Sequence, residues 1–531
     1  MTLNFKTDKK NYTLKDLPCK DDVILKTEDP AVVTVAKNEK NPETPTFTAV
    51  APGTTTCIVS IKNQPGVTGT LKLHVLNLDA LHADMTEKVD GKFPHLLKTP
   101  IALRGFSQGF DFYDESAQFF TRLGAPNPNY TYIANGKTDK IKYTISHSNV
   151  MIYKIDANGN SKDMIFHNAG HGQNLNVEHT ENQDYLWLSN YNSLYCSKTD
   201  DTNQTCTGAV YHSQTISRVP WQEGISYYPN QVSENYYYSG QKNEYHFFLE
   251  PALDAKNNKF AFKSKMCALD VYLNNPVEYG KCTSSSQDTV RVYNLNTVKA
   301  LKTTQITFPR PLTYLDNNNN LNTGDVSATV KDLSTLKPIS EFTVKSLPGQ
   351  GIEIENGILY TVTRVPYLLE KKEGKNQEYS YRSTIPIFVY TYNGDTIGGK
   401  TAIKDQTING NGKDEYAYFL GPVKKDKIFV DVTQNSSCGR KNCHGENNRY
   451  CECEGYFMDN EKLDAMFKYT ETDKDIEYEM LPTGFYEPEG IRVSNGKLYV
   501  HVMVGYTRKN KKDSSTKGTS RQATLVYDLT K

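Results

Sequence analysis

The stretch GQGIEIENGILYTVTRV, residues 349–365, contains the pattern that decides the fold. An alternating run leads into the polar turn Asn356-Gly357, and an aromatic-containing run follows it, which predicts two strands joined by a tight turn. The stretch EPEGIRVSNGKLYV, residues 487–500, repeats this arrangement. Looser copies start near Ser107 and His167, and another covers residues 252–292. Repeated multi-strand units predict sheets stacked around a common axis, each burying its faces against its neighbours.

The rest of the chain supports an all-β fold. It contains 36 Tyr and 21 Phe among 531 residues, and these residue types favour pleated, half-buried surfaces. Few stretches have the apolar spacing of a helix, and the best candidate for a short helix is residues 459–469, with a face of Leu463, Met466 and Phe467. We therefore predict a β-propeller, five-bladed, over residues 99–531, with insertions near 300–345 and 400–480.

Charge and hydropathy exclude several classes of protein. Lys plus Arg and Asp plus Glu both number 61, so the formal net charge is zero and an extended basic surface for nucleic acid is not expected. The longest apolar runs are far shorter than the roughly 20 residues of a membrane-spanning helix, so we expect no membrane insertion. The N-terminal residues lack the apolar region of a classical secretory signal.

The first 78 residues form a separate unit. The run TAVAPGTTTCIVSI, residues 48–61, places Cys57, Val59 and Ile61 on one face of a strand that follows a Pro-Gly turn. This unit resembles the bacterial Ig-like domain of the second group. The resemblance implies a small β-sandwich that serves as a spacer or adhesive module on bacterial surface proteins and phage structural proteins. Residues 79–98 are predicted to be a linker.

Three stretches of the larger unit resemble one family of propellers. They are SQGFDFYDESAQFF (107–120), AGHGQNLNVEHTENQDYLWL (169–188) and EPEGIRVSNGKLYV (487–500). The family includes teichoic-acid biosynthesis protein C, helveticin-J-type bacteriocins and receptor-binding tail proteins of phages that infect Gram-positive bacteria. The resemblance implies a rigid propeller that docks on a cell-wall polymer such as wall teichoic acid, and it does not by itself imply catalysis.

Candidate ligand-binding residues are mostly aromatic, because Tyr and Trp offer a flat apolar face with a polar tip that suits sugar rings. His171 lies between two glycines and serves either as a ligand contact or as a structural residue of a turn. Arg218 is a candidate partner for polymer phosphates. Packing inside the sheets is the alternative for each aromatic residue. The full set is His171, Trp187, Arg218, Trp221, Tyr227, Tyr228 and Tyr237.

The ten cysteines occur in local sets. Cys438, Cys443, Cys451 and Cys453 lie within sixteen residues and could enclose a structural zinc ion, form two local disulfides, or remain free thiols. Three further pairs are disulfide candidates, namely Cys196 with Cys206, Cys267 with Cys282, and Cys19 with Cys57. No other cofactor is expected.

These observations favour a phage virion protein, a tail-fibre or receptor-binding component located in the virion or outside the cell. Its expected partners are a bacterial cell-wall polysaccharide and other virion proteins. A helveticin-like bacteriocin is one alternative. A propeller glycosidase is another, because carboxylate pairs such as Glu487 with Glu489 could serve glycoside hydrolysis. No catalytic motif is recognised, so we do not expect an enzyme.

Overall fold

Almost every element of the chain is a β-strand, which confirms the all-β prediction. The computed structural model describes residues 2–4, 9–11, 22–37, 44–82, 88–90, 96–97, 107–112, 117–123, 132–134, 137–139, 149–167, 169, 172–196, 199–200, 205–206, 209–241, 243–268, 287–309, 312–315, 321–345, 349–373, 376–391, 417–419, 423–431, 441–444, 450–458 and 460–531.

The helices in these ranges are short. The α-helices are Leu295–Lys299 and Asn460–Phe467, and turns of 3-10 helix lie at Leu78–His82, Pro229–Gln231, Ala255–Asn257 and Leu333–Thr335. The second α-helix confirms the sequence prediction for residues 459–469. Its Leu463, Met466 and Phe467 side chains are buried, as their spacing predicted.

The N-terminal strands form two sheets around a small core. The four-stranded sheet has the order Thr2–Asn4, Gln64–Leu76, Gly53–Ile61, Val23–Thr27, and the three-stranded sheet has the order Lys9–Asn11, Thr46–Ala49, Val33–Ala36. Cys57 and Leu73 of the first sheet pack against Val33 and Phe47 of the second. This arrangement is compatible with the predicted small sandwich.

Five further sheets follow along the chain, and we number them I to V. Sheet I comprises Ser107–Phe112, Ala117–Leu123, Asn149–Asp156, Ser161–His167 and Ser226–Tyr227. Sheet II comprises Asn176–His179, Asp184–Cys196, Ala209–Pro220, Asn235–Tyr237, Ser327–Asp332 and Thr303–Thr307. Sheet III comprises Glu244–Asp254, Lys259–Ala268, Gln287–Asn294 and Ser340–Lys345. Sheet IV comprises Gly349–Glu355, Ile358–Thr363, Pro386–Thr391 and Ala417–Phe419. Sheet V comprises Tyr469–Asp473, Ile476–Ser494, Lys497–Asn510, Thr516–Asp528 and Leu96–Leu97.

Sheets I to V are arranged in a closed cycle. The strands Ser107–Phe112, Asn176–His179, Glu244–Asp254, Gly349–Glu355 and Ile476–Ser494 contact one another in this order, and the last contacts the first. The strand Leu96–Leu97 precedes sheet I in the chain but pairs with Thr516–Asp528 at the edge of sheet V. This closed order is compatible with the predicted five-bladed propeller, whose sheets would pack radially around a common axis.

The insertions build additional sheets. Sheet II gains the strands Thr303–Thr307 and Ser327–Asp332, which fall in the insertion predicted near residues 300–345. Further sheets are formed by Lys137–Asp139, Tyr132–Ala134, Leu321–Gly324 and Leu312–Leu315, by Asn376–Thr384, Val365–Glu373, Val423–Asp431, Tyr450–Met458 and Lys441–His444, and by Thr199–Asp200 and Thr205–Cys206. The five-stranded sheet among them begins at Val365, before the insertion predicted near residues 400–480.

The sandwich is fixed directly to sheets IV and V. The Asn77 backbone N–H donates to the Leu529 carbonyl oxygen at 2.8 Å, and Asn77 Nδ2 donates to the Lys531 carbonyl oxygen at 2.6 Å. Leu78 and Leu81 are completely buried in the core shared with sheets IV and V. The segment predicted as a linker, residues 79–98, therefore contains a packed turn and the edge strand of sheet V.

Candidate functional site

An ion-pair network joins the strands Ser107–Phe112 of sheet I, Gly349–Glu355 of sheet IV and Ile476–Ser494 of sheet V. Each of these strands has the order Gly, apolar, charged, apolar, and the charged residues are Asp111, Glu353 and Arg492. Arg492 Nε lies 3.1 Å from Asp111 Oδ1, and Arg492 Nη1 donates to Glu353 Oε1 at 2.6 Å. Asp111 Oδ2 also accepts from the Val177 N–H of sheet II at 2.5 Å. One arginine thus links three neighbouring strands of the cycle.

Glycine allows these strands to approach closely. A Cβ atom at Gly490 would lie 2.8 Å from the Phe110 backbone nitrogen, and one at Gly109 would lie 2.6 Å from the Gly172 carbonyl oxygen. Both distances are shorter than real Cβ atoms show, and backbone atoms cannot rotate away. The conformational freedom of glycine is not needed here, but its small volume is.

Burial dominates the electrostatics of this network. It raises the pKa of Asp111 to about 6, against the opposing effect of Arg492, and raises the pKa of Glu353 well above its usual value. Both carboxyl groups are almost completely inaccessible. A single guanidinium compensates two buried carboxyl groups, so this network closes the cycle of strands and does not face a ligand.

A second buried network surrounds Glu178 and contains two of the predicted ligand-binding residues. Trp187 Nε1 donates to Glu178 Oε2 at 2.9 Å, and Arg218 Nε donates to the same oxygen at 2.7 Å. Lys299 Nζ donates to Glu178 Oε1 at 2.7 Å. Burial alone would raise the pKa of Glu178, but the hydrogen bonds from Arg218 and Lys299 hold it below its usual value.

These contacts leave little accessible surface on the predicted ligand-binding residues. Trp187 is completely buried and stacks on Tyr236 with ring centroids 5.0 Å apart. Arg218 also pairs with Glu234 through Nη1 at 2.7 Å, and its guanidinium lies 3.4 Å above the Tyr185 ring. Tyr237 packs in the core between sheet II and its additional strands. In this structure these three residues are packing and pairing residues, which is the alternative that the sequence left open.

The three remaining aromatic candidates lie together at the outer edge of sheet I. We call Trp221, Ile225, Tyr227 and Tyr228 the aromatic edge. Trp221, Tyr227 and Tyr228 are half-buried, and Ile225 is 40% exposed. The strand Ser226–Tyr227 pairs with Ser161–His167, which makes it the outermost strand of sheet I.

Contacts from sheets I and II hold the aromatic edge in place. Trp221 meets Phe119 edge to face with ring centroids 5.5 Å apart, and its carbonyl oxygen accepts from Gln183 Nε2 at 2.7 Å. Tyr228 stacks on His167 at 4.1 Å with the ring planes 13° apart. Burial lowers the pKa of His167 to about 4, so its ring is neutral near pH 7. The rings of Trp221 and Tyr228 are therefore held in place by the side chains against which they pack.

Polar groups flank these rings. Tyr227 Oη donates to Gln222 Oε1 at 3.1 Å, and Lys162 Nζ pairs with Glu223 Oε2 at 2.7 Å, both on the exposed surface. Rings bordered by amide, carboxylate and ammonium groups suit a hydroxyl-rich ligand with apolar faces. Sequence reasoning missed Ile225 and His167. The position of Ile225 between Trp221 and Tyr227 in the sequence was the available signal for the first, whereas the second depends on strand pairing.

The structure describes only some of the cysteines that were predicted to bind zinc or form disulfides. Cys443 and Cys451 are opposite each other on antiparallel strands, a placement compatible with a disulfide. Cys453 lies opposite Ile428, and Cys438 is outside the described residues. Among the side chains that the structure describes, no group of three or more His, Cys, Asp or Glu could hold a metal ion. The choice between zinc and disulfides thus stays open.

In the described residues, none of the other three predicted pairs has its two cysteines opposite each other. Cys196 is opposite Ala209 and Cys206 is opposite Thr199, on two separate strand pairs, and the residues between these pairs are outside the described ranges, so this disulfide stays a prediction. Cys267 lies opposite Tyr245, and its predicted partner Cys282 is outside the described residues. Cys57 is a buried free thiol whose pKa burial raises, and Cys19 is outside the described residues, as is His171.

No family model matches the chain, and no curated protein matches it. Among the residues described, no helix is long and apolar enough to cross a membrane.

Proposed function

We propose that the protein is a receptor-binding component of a phage virion that attaches to a cell-wall glycopolymer of Gram-positive bacteria through the aromatic edge. The single observation that carries the binding part of this proposal is a group of three half-buried rings at the edge of sheet I. Tyr227 lies on the outermost strand, Tyr228 directly follows it, and Trp221 packs against Phe119 of the same sheet. Half-buried rings that are held in place bind sugar faces with little loss of side-chain entropy.

The charges at the aromatic edge favour the sugar units of such a polymer over its phosphates. Arg218, the predicted phosphate partner, is occupied by Glu178 and Glu234. Lys162, at the surface beside the edge, is paired with Glu223. The attachment of the sandwich through Asn77 supports a rigid spacer that holds the aromatic edge at a fixed orientation.

A pull-down on purified Gram-positive cell walls, with and without wall teichoic acid, tests this proposal. Trp221→Ala and Tyr228→Ala should each weaken binding about tenfold, as expected for aromatic residues at the centre of an interface. Ile225→Ser removes an exposed apolar side chain and provides a variant with little risk to folding. Tyr469→Ala, which alters a 40% exposed tyrosine on sheet V, is the matched control and should bind normally.

The outcomes separate the parts of the proposal. Loss of binding after removal of teichoic acid identifies the polymer, whereas binding that persists assigns the receptor to another wall glycan. Equal binding by the Trp221, Ile225 and Tyr228 variants and the wild type, with unchanged thermal unfolding, would contradict the aromatic edge as the site.

A propeller glycosidase is the second candidate, supported by one observation. Glu489 is completely buried, and burial together with the nearby Glu487 raises its pKa well above the usual value, as a general acid requires. However, a carboxyl group with no accessible surface does not contact a substrate, so we favour binding without cleavage. Release of soluble fragments from purified wall polymer, abolished by Glu489→Gln, would reverse this preference.

A further inference from the structure

A cleft separates the sandwich from the hairpin turns of sheets III, IV and V. Its volume is about 300 Å³, the lower end of the range for small-molecule sites. The sandwich contributes Lys72 and His74 to its lining, and the hairpin turns contribute Lys256, Glu355, Asn356 and Asn495. None of these residues belongs to the aromatic edge.

The cleft is preformed because its two walls are joined. Asn77 of the sandwich binds the Leu529 carbonyl oxygen, and the Leu529 N–H donates to the Gly496 carbonyl oxygen at 2.8 Å, in the hairpin turn of sheet V. The buried Leu78 and Leu81 fix the same junction. A ligand would not have to order the two walls, which lowers the entropic cost of binding.

The hairpin turns present amide groups in fixed positions. Asn257 Nδ2 donates to Asn356 Oδ1 at 3.0 Å, and Asp254 Oδ2 accepts from the Asn356 N–H at 2.9 Å. Lys256 Nζ donates to Asn495 Oδ1 at 3.2 Å. These contacts link sheet III to sheets IV and V across the floor of the cleft. Amides placed in this way suit the hydroxyl groups of a ligand.

The charge of the cleft favours an anion. In the described part of the chain, Lys256 forms no salt bridge, and its hydrogen-bond partner is the neutral amide of Asn495. Lys72 adds a second ammonium group from the opposite wall. Glu355 is the one carboxyl group among the described lining residues, so the two ammonium groups outnumber it. His74 is neutral near pH 7, because burial lowers its pKa to about 4.

We propose that this cleft binds a small phosphorylated sugar or polyol, with Lys72 and Lys256 contacting the phosphate and the amides of Asn356 and Asn495 contacting hydroxyl groups. Phosphate is favoured over carboxylate because ammonium groups act as point charges, and no arginine fork lies among the described lining residues. The size of the cleft limits the ligand to about one sugar unit.

Isothermal titration calorimetry on the full chain tests this proposal with glucose 6-phosphate, glucose and inorganic phosphate. Glucose 6-phosphate should bind more tightly than either of the others. Lys256→Gln and Lys72→Gln should each weaken its binding about tenfold or more, since each removes a charge-assisted contact. Lys511→Gln, an exposed lysine beyond the other end of the strand Lys497–Asn510, is the matched control and should leave binding unchanged.

Three results would overturn the proposal: no binding of glucose 6-phosphate at millimolar concentration, glucose binding as tightly as its phosphate, or unchanged binding in both lysine variants. Inorganic phosphate binding as tightly as glucose 6-phosphate would overturn the role of the amides. The Trp221→Ala variant should bind glucose 6-phosphate normally, so failure of the cleft and failure of the aromatic edge are measured independently.

Discussion

Arg492 in sheet V lies 3.1 Å, Nε to Oδ1, from Asp111 in sheet I, so an ion pair joins the last sheet of the cycle to the first. Arg492 also binds Glu353 in sheet IV. Along the chain, the strands that carry Asp111 and Arg492 are separated by the whole of sheets II, III and IV. The ion pair therefore depends on closure of the cycle and provides a direct test of it.

Arg492→Leu should lower the free energy of unfolding by about 3 kcal/mol or more, because it leaves two buried carboxyl groups without their cation. Chemical denaturation followed by tyrosine fluorescence measures this. Lys162→Gln, which breaks an exposed pair with Glu223, should change stability by less than about 1 kcal/mol. Similar small losses in both variants would show that Arg492 is not buried in the closed cycle.

Gly490→Ala should destabilise the protein by about 1–3 kcal/mol, since the added Cβ would lie 2.8 Å from the Phe110 backbone nitrogen. Gly518→Ala is the matched control, because nothing lies within 4 Å of its Cβ position. Thermal unfolding compares the two variants. If Gly490→Ala is tolerated as well as Gly518→Ala, the strands Ile476–Ser494 and Ser107–Phe112 are farther apart than described.

Glu489→Gln should stabilise the protein at pH 7 but not at pH 4. The Glu489 pKa is raised in the folded chain by burial, first, and by Glu487. The folded state therefore holds a proton that the unfolded chain releases above roughly pH 4.3, and the wild type loses stability as pH rises from there through the folded pKa. Urea denaturation at several pH values should show the stability gap between variant and wild type widening with pH. A constant gap, or an equal response of the exposed Glu223→Gln control, would contradict the buried neutral acid.

His501 should give the stability a pH dependence opposite in sign to that of Glu489. Burial lowers its pKa to about 4, and its ring nitrogens lie 3.0 Å from Thr524 Oγ1 and 3.1 Å from Gln522 Oε1. The unfolded chain takes up a proton below about pH 6.5, so stability is lost as pH falls from there towards the folded pKa, by up to about 1.4 kcal/mol per pH unit. His501→Gln should flatten this part of the urea-denaturation profile. Its ring protons, followed by NMR, should not titrate above pH 5.

Arg218→Gln should lower the stability of the fold without changing attachment to cell walls. The variant leaves Glu178 buried with one cation fewer and should cost about 3 kcal/mol or more. At a temperature where the variant remains folded, binding to cell walls should match that of the wild type, because Arg218 is not part of the aromatic edge. Specific loss of wall binding without loss of stability would restore Arg218 as a ligand contact.

Local sequence patterns were sufficient for the class of fold. Alternating runs and Asn-Gly turns predicted strands and hairpins, and the apolar spacing of residues 459–469 predicted a helix that is present at Asn460–Phe467. These features depend on neighbours within a few residues, so a short window of sequence contains their cause. The aromatic composition likewise indicated which segment, residues 221–228, was rich in binding-type side chains.

Tertiary structure decided which of those side chains face outwards. Trp187 and Trp221 were both ligand-binding candidates in the sequence. Trp187 is buried in sheet II, where it contacts Glu178 and Tyr236, whereas Trp221 lies half-buried beside an edge strand. The pairing of Arg492 with Asp111 and the cleft beneath the sandwich also join distant parts of the chain. Burial and ion pairing depend on which sheets become neighbours, and that is set by packing over the whole chain rather than by local alternation.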